Sequence, residues 1–444
     1  MRRCYSLPVG SFAAARGAGP GGDPPDPPDG LRPRRRPVGS FAMAAVLARG
    51  GGPPEAPAAG PGPVAGPRSV LRARAARERL AGWMEREGLP GLVLTRPGPV
   101  SWLTGGLPPP VDRSAATDLV WAVVCGPSAT LITTEVEADR IAEEYRPGQH
   151  GFAELVAVPW YDPDAFARAA ADVTGVPAAA LASDGHPAFG PDSSDELTAL
   201  RLALSGAEQD DLRALGAHAA AALEDALTAW SPGERDLDIQ ARVAAALEAC
   251  GADAPVLIVG GDDRVRRYRH PMAAGAPVRH LAMAVVVARR GGLHAAATRF
   301  ASTGPLSPAQ RTLWDRVRRI EADTLAASRP GQAYGDVLGA LDRGYAREDA
   351  AGGWAGHYQG GPIGYGQREF EIAPGQSGTR WPDIRIEPGH AVAWNPSLPG
   401  GAKAEDTYLV HADGLERVTT GPGWPADDGD HGIPPRPLVL EVSL

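Results

Sequence analysis

The sequence predicts two folded domains, an α/β domain followed by an α+β domain, behind a long N-terminal extension. Three observations carry this reading. A chain of 444 residues is longer than a single core ordinarily serves. Over residues 68–205, short apolar strands alternate with helical segments, the pattern of an α/β domain. Over 206–420, two pairs of amphipathic helices flank longer strands and Gly-rich loops, the plan of an α+β domain.

Residues 1–67 are dominated by Pro, Gly, Ala and Arg. That composition cannot bury enough apolar surface to offset chain entropy, so disorder is expected. The hexapeptide PVGSFA occurs at 8–13 and again at 37–42, a short duplication and not a solenoid. Arg34, Arg35 and Arg36 ahead of the apolar run 41–47 imitate an export signal faintly. The run starts late, follows Pro and Gly, and leads to no convincing cleavage site, so export is not expected. A start placed too early, with Met43 as an alternative, accounts for the segment equally well.

The first helix is expected over 69–87, where strong helix formers place Leu71, Ala75, Leu80 and Trp83 at helical spacing. Strands follow at 91–95, 119–125 and 129–133, the last two joined by Gly126-Pro127. Helices at 135–145, 163–173 and 193–204 alternate with strands at 153–158 and 179–182. In the second domain, helices at 207–230 and 234–250 are separated by Ser231-Pro232-Gly233, a stop and restart signal. Strands at 255–259, 281–288 and 293–300 precede helices at 308–328 and 334–347, themselves split by Arg329-Pro330-Gly331. Further strands are expected at 391–394 and 407–410 in a mostly antiparallel curved sheet. Residues 421–444, rich in Pro and Asp, read as a loose tail.

Charge excludes one class of partner. A formal net charge of −9 is wrong for a nucleic-acid binder, which needs clustered Lys and Arg to displace counterions. Cys4, Cys125 and Cys250 are far apart and lack metal-ligand spacing. They fit a reduced, cytoplasmic chain, with Cys125 and Cys250 as small buried residues. No apolar stretch is long enough to span a membrane.

Five local motifs occur in a telling order. They are Arg269-His270-Pro271; GLHAAATR at 292–299; HYQGGPIG at 357–364; Ile386-Glu387-Pro388-Gly389; and Glu405-Asp406-Thr407-Tyr408-Leu409-Val410. Together they resemble the creatinase, aminopeptidase P and prolidase family, peptidase family M24, over roughly residues 69–418. The resemblance implies the "pita-bread" fold for the C-terminal domain. It also implies a dinuclear metal site, and here the chain departs from the family. The positions of two metal-ligand Asp residues, eleven apart, fall on Val285 and Ala296; the ligand His falls on Gly361; a ligand Glu falls on Asn395. One carboxylate survives, Glu405, and a second family His falls on Arg368.

Those replacements decide the chemistry. A two-metal hydrolase offsets four units of positive charge with carboxylates and an imidazole, and activates a bound water. Aliphatic and glycyl groups donate nothing, Asn395 is a weak neutral ligand, and one acid cannot hold two divalent cations against water. The reading is therefore a chain with no metal and no other cofactor. Creatinase, in the same family, cleaves a C–N bond without metal, so activity survives as an expectation.

By that analogy His270 is the candidate for proton transfer, because imidazole titrates near working pH. Glu405 orients it or holds a cationic group, and His357 stands beside them as a catalytic candidate. Asn395, Arg368, Glu369, Tyr365, Gln359, Lys403 and Arg299 are the candidate substrate-binding residues. Each has a plainer reading. His270 suits a loop histidine satisfied by backbone, and Glu405 an interior acid paired with Lys403 or Arg299. Asn395 suits a turn cap before Pro396, and Arg368-Glu369 a surface ion pair. His294 reads as a packed or exposed histidine, and Asp262-Asp263 as a turn with a solvated face. Gly360, Gly361 and Gly364 allow close backbone approach.

The leading expectation is a metal-independent hydrolase cleaving a C–N bond of a small amide, amidine or peptide-like molecule. The alternative is a non-catalytic binding protein using the same cleft. An ordinary Xaa-Pro metallopeptidase comes third, since it needs ligands from elsewhere, such as Asp262, His270 or Glu369. The expected partner is a small-molecule or short-peptide substrate, with no nucleic acid and no membrane, and the resemblance implies a homodimer.

Overall fold

The computed structural model describes residues 34–37, 66–107, 111–421, 423–429 and 432–442. Most of the extension expected to be disordered lies outside them. One part does not: Arg34–Pro37 is an edge strand, antiparallel to Glu154–Val158. Both domains' sheets belong to one unit, Arg34–Leu444.

The N-terminal sheet has six strands. Their order is Arg34–Pro37, Glu154–Val158, Ser128–Thr134, Val120–Cys125, Leu92–Leu94 and Ala182–Ser183. Pairing is mixed: Ser128–Thr134 runs parallel to Glu154–Val158, and Leu92–Leu94 parallel to Ala182–Ser183. The helix Pro67–Glu87 starts on Pro, whose missing N–H costs nothing there, and stops at Gly88 in the left-handed region. Its buried stripe runs through Ala73, Ala76, Leu80 and Trp83, whereas Leu71, expected on that stripe, is exposed.

Two local expectations fail for backbone reasons. The helix expected at 135–145 is a short turn, Ala138–Arg140, running into a widened turn, Ile141–Tyr145, which ends at Arg146 with φ 55° before Pro147. An unexpected helix, Pro97–Thr104, forms despite two prolines, because both fall in its first turn.

In the C-terminal half the strands Leu281–Arg290 and Leu293–Ser302 form an antiparallel hairpin through Gly291 and Gly292. A side chain at Gly292 is barred twice, by its φ of 80° and by Ser101, which lies 2.3 Å from where a Cβ would stand. Asp253–Gly261 pairs along the other edge of Leu281–Arg290. A second sheet orders Gly360–Pro362, Ala391–Trp394, Asp406–Val410 and Leu415–Arg417. The helices Gly206–Thr228 and Pro308–Ala327 both open with capping boxes, Ser205 with Glu208 and Ser307 with Gln310. Helices Asp236–Ala249 and Tyr334–Arg347 complete the two pairs.

The tail is not loose. Leu440–Glu441 adds a parallel strand to Leu293–Ser302. Trp424 Nε1 donates to the Leu438 carbonyl at 2.9 Å, and Arg436 reaches the buried Glu321 at 3.1 Å. Pro and Asp dominate its composition, but a few apolar and charged anchors fold it back. Among the described residues, no helix is long and apolar enough to cross a membrane.

Candidate functional site

Two loops bring the candidate histidines His270 and His357 together. His270 follows the short helix Asp262–Arg267, and His357 follows the tight turn Gly353–Gly356. Their Nε2 atoms are 3.2 Å apart, with ring centroids 5.0 Å apart and planes tilted by 52°. One ring donates and the other accepts, an arrangement open to neutral imidazoles. Burial lowers the His357 pKa to about 3, with the Lys403 charge adding to it. His270 is lowered by burial and by Lys403, against an opposing pull from Glu405. Both rings are thus neutral bases at ordinary pH, and the Nδ1 of His357 has no hydrogen-bond partner among the described residues.

The surviving acid, Glu405, stands in the link between the strands Ala402–Lys403 and Asp406–Val410. Lys403 Nζ lies 3.4 Å from Glu405 Oε2, and the Thr298 hydroxyl donates to the same oxygen at 2.8 Å. The Thr298 amide also donates to the Glu405 carbonyl at 2.9 Å, which stitches the hairpin to this segment. Burial lowers the Lys403 pKa, while Glu405 pulls it back up. An ammonium has three donors, so one long contact leaves capacity for an incoming oxygen. Beside the pair is a cavity of about 20 Å³, lined also by Trp314, Glu321 and Leu438, enough for one water.

The site does not fit the family's metals. Val285 lies opposite Thr298 and Val287 opposite Ala296, so alternation turns Val285, Ala296 and Thr298 to one face. Where that face should offer carboxylates it offers aliphatic groups. Gly361 and Asn395 occupy the next two ligand positions, and Glu405 is already neutralised by Lys403. Among the described residues, no group of three or more His, Cys, Asp or Glu side chains is arranged to hold a metal ion. A cation placed here would meet a resident ammonium and one acid.

The candidate substrate-binding residues divide into two sets. Arg368 acts electrostatically on His270 and on Lys403, and so belongs with them; its Nε also pairs with Glu371 at 2.9 Å. Asn395 is buried, and its Oδ1 has no hydrogen-bond partner among the described residues. The other four are committed elsewhere. Gln359 accepts from the Tyr345 hydroxyl and donates to the carbonyls of Trp354 and His357. The Tyr365 hydroxyl donates to Glu208 and accepts from Arg72, on the first helix. Glu369 pairs with Arg201 at 2.7 Å and accepts from the amides of Tyr365 and Gly366. Arg299 lies on the opposite face from Thr298, between Glu224 at 3.0 Å and Asp406 at 2.9 Å. These four have partners within the scaffold, and Arg299 faces away from Thr298.

The plainer readings of other motifs are met. His294 is buried, with Nδ1 3.1 Å from the Gly364 carbonyl and a pKa lowered by burial to about 4. Asp262 accepts from the amides of Arg279, His280 and Leu281, while Asp263 faces solvent beside Arg266. Thr298 was missed, though the period of two from Ala296 within 292–299 marks it. Tyr345 was also missed, and a lone aromatic inside a helix carries no signal of its role.

Residues 210–412 match the model of metallopeptidase family M24. The solved structure of dipeptidase PepE from Mycobacterium ulcerans is similar at a TM-score of 0.64 and 22% identity, over 85% of this chain and 99% of that one. The Xaa-Pro dipeptidase from Bacillus anthracis gives 0.61 and 19%, over 79% and 98%. The prolidase from Pyrococcus horikoshii OT3 gives 0.60 and 16%, over 78% and 98%. No curated protein matches the sequence. The likenesses give the two-domain pita-bread architecture, and the segment similar to metallopeptidase family M24, residues 210–412, holds both histidines and the Lys403–Glu405 pair.

Proposed function

We propose that the chain is a metal-independent hydrolase that cleaves a C–N bond in a small amide, amidine or peptide-like molecule. The observation that supports this most is the 3.2 Å contact between the Nε2 atoms of two neutral imidazoles, His270 and His357. A neutral imidazole takes a proton from a water, which then attacks the carbon of the C–N unit. Negative charge develops on the carbon's other heteroatom, where the Lys403 ammonium has donors to spare. The proton returns from the imidazolium to the leaving nitrogen as the C–N bond breaks. Asn395 Oδ1, buried without a partner, suits an N–H of the substrate, and Arg368 supplies a second positive charge.

A second reading, a non-catalytic binding protein, draws on a different observation. Glu405 is occupied by Lys403 and Thr298, so among the described residues neither histidine has a carboxylate hydrogen-bonded to it for orientation. A screen of small amides, amidines and Xaa-Pro peptides, each with and without chelator, separates the readings. Hydrolysis that persists in chelator is expected. Activity abolished by chelator and restored by manganese or cobalt ends the proposal; binding without turnover favours the second reading.

A further inference from the structure

Gln359 and Tyr345 lie behind the His357 loop, and their side chains are spent on it. Both are buried, at 6% and 0% exposure. The Gln359 carboxamide donates to the Trp354 carbonyl at 2.8 Å and to the His357 carbonyl at 2.9 Å. Those two acceptors fix which end of the amide is nitrogen, because a carbonyl oxygen there would face two others. Its oxygen accepts from the Tyr345 hydroxyl at 3.0 Å. The same hydroxyl accepts from the Ser397 amide at 2.9 Å, which ties the arrangement to the segment after Asn395. On the other side, the Asn395 amide donates to the Gln359 carbonyl at 2.8 Å. Two short stretches, 354–359 and 395–397, are therefore clamped to each other through one amide and one phenol.

What the clamp fixes is the backbone on both sides of His357, whose own amide donates to the Trp354 carbonyl at 3.2 Å. The imidazole leaves that backbone toward His270 and has no hydrogen bond at Nδ1 to orient it. Beyond His270 and a backbone contact with the adjoining Tyr358, no partner among the described residues holds the ring's direction, so the loop that carries both residues must do so.

We infer that Tyr345 and Gln359 are positioning residues which, by clamping the loop from Trp354 to Gln359, hold the His357 imidazole in line with His270. The inference rests on the proposed hydrolase for its catalytic consequence, but the ring's placement can be read without turnover. Two variants test it: Tyr345→Phe, which keeps the ring and removes the hydroxyl, and Gln359→Leu, which keeps the bulk and removes three hydrogen bonds. Imidazole proton shifts of His270 and His357 are followed against pH by NMR in parent and variants. In the variants the His357 signal is expected to titrate at higher pH than in the parent, as the ring leaves its place beside Lys403, Arg269 and His270. In the hydrolytic assay kcat is expected to fall about tenfold or more with KM little changed. A lowered melting temperature with both histidine titrations and kcat unchanged would show a structural role only and overturn the inference. A parent that hydrolyses nothing defeats the proposed function, while the histidine titrations still decide this one.

Discussion

Lys403 Nζ stands 3.4 Å from Glu405 Oε2, both side chains almost wholly buried. The buried acid is thus answered by a resident ammonium. Removing either partner strands the other charge in the interior. Glu405→Gln is expected to destabilise the fold by about 3–5 kcal/mol, and Lys403→Met by a similar amount. The double variant should lose clearly less than the sum, because no charge is left unpaired. Urea denaturation of the four proteins measures the coupling; strict additivity would mean the two groups do not interact.

The histidines make acid the sensitive side. His357 is lowered to about 3 and His270 in the same direction, each from an ordinary 6.5; His294 and His390 are lowered to about 4. Between 6.5 and those values the unfolded chain binds more protons than the folded one, so stability falls as pH drops through that window. The base form persists through neutrality, so kcat/KM is expected to be flat near pH 7 and to fall only below pH 6.5. A His357→Gln variant should show a shallower loss of stability with acid. A rate profile whose acid limb lies above pH 6.5 would contradict the lowered imidazoles.

Arg299 was placed against substrate by its motif and is found instead between two acids on the far face of the hairpin. Its guanidinium also donates to the carbonyls of Thr298 and Thr419. Arg299→Met strands Glu224 and Asp406, and about 3–5 kcal/mol of stability should go with it. KM, measured on whatever folded protein remains, is expected to hold. A KM effect with native stability would return Arg299 to the substrate.

Arg368 should behave in the opposite way. Its side chain is 22% exposed and its ion pair with Glu371 is on the surface, a kind of pair worth about 0–1 kcal/mol. Arg368→Ala is therefore expected to leave the melting temperature within a degree or two and to weaken binding of an anionic substrate. Titration of His270 should move up, since a neighbouring positive charge has been removed.

Much of the architecture is legible in the chain because it is locally encoded. The helices Pro308–Ala327 and Tyr334–Arg347 fall where Ser307, Gln310 and Arg329-Pro330-Gly331 place them. The Leu281–Arg290 and Leu293–Ser302 hairpin follows from two apolar runs around a Gly pair. Of the candidate residues, His270, His357 and Glu405 are marked by motif order and Lys403 by its place two residues before Glu405, and the structure brings His270 to His357 and Lys403 to Glu405. Facing is what the motifs do not carry. Thr298 and Arg299 are neighbours in sequence, yet one meets Glu405 and the other Glu224, which lies on a helix far back in the chain. Gln359 reads as a pocket amide until Tyr345, Trp354 and His357 are seen to exhaust it. Tyr365 likewise depends on Arg72, whose partner no local pattern names.

The strand Leu440–Glu441 has a consequence for how the protein is made. It lies alongside Leu293–Ser302, which emerges from the ribosome long before it. Ala301 and Ser302, at the end of the central hairpin, must therefore wait without that partner through the synthesis of the second sheet and its helices. A contact that joins such distant segments forms late and slowly. An unpaired edge in the meantime is open to other chains, so this end of the hairpin is exposed to aggregation until Leu440–Glu441 docks.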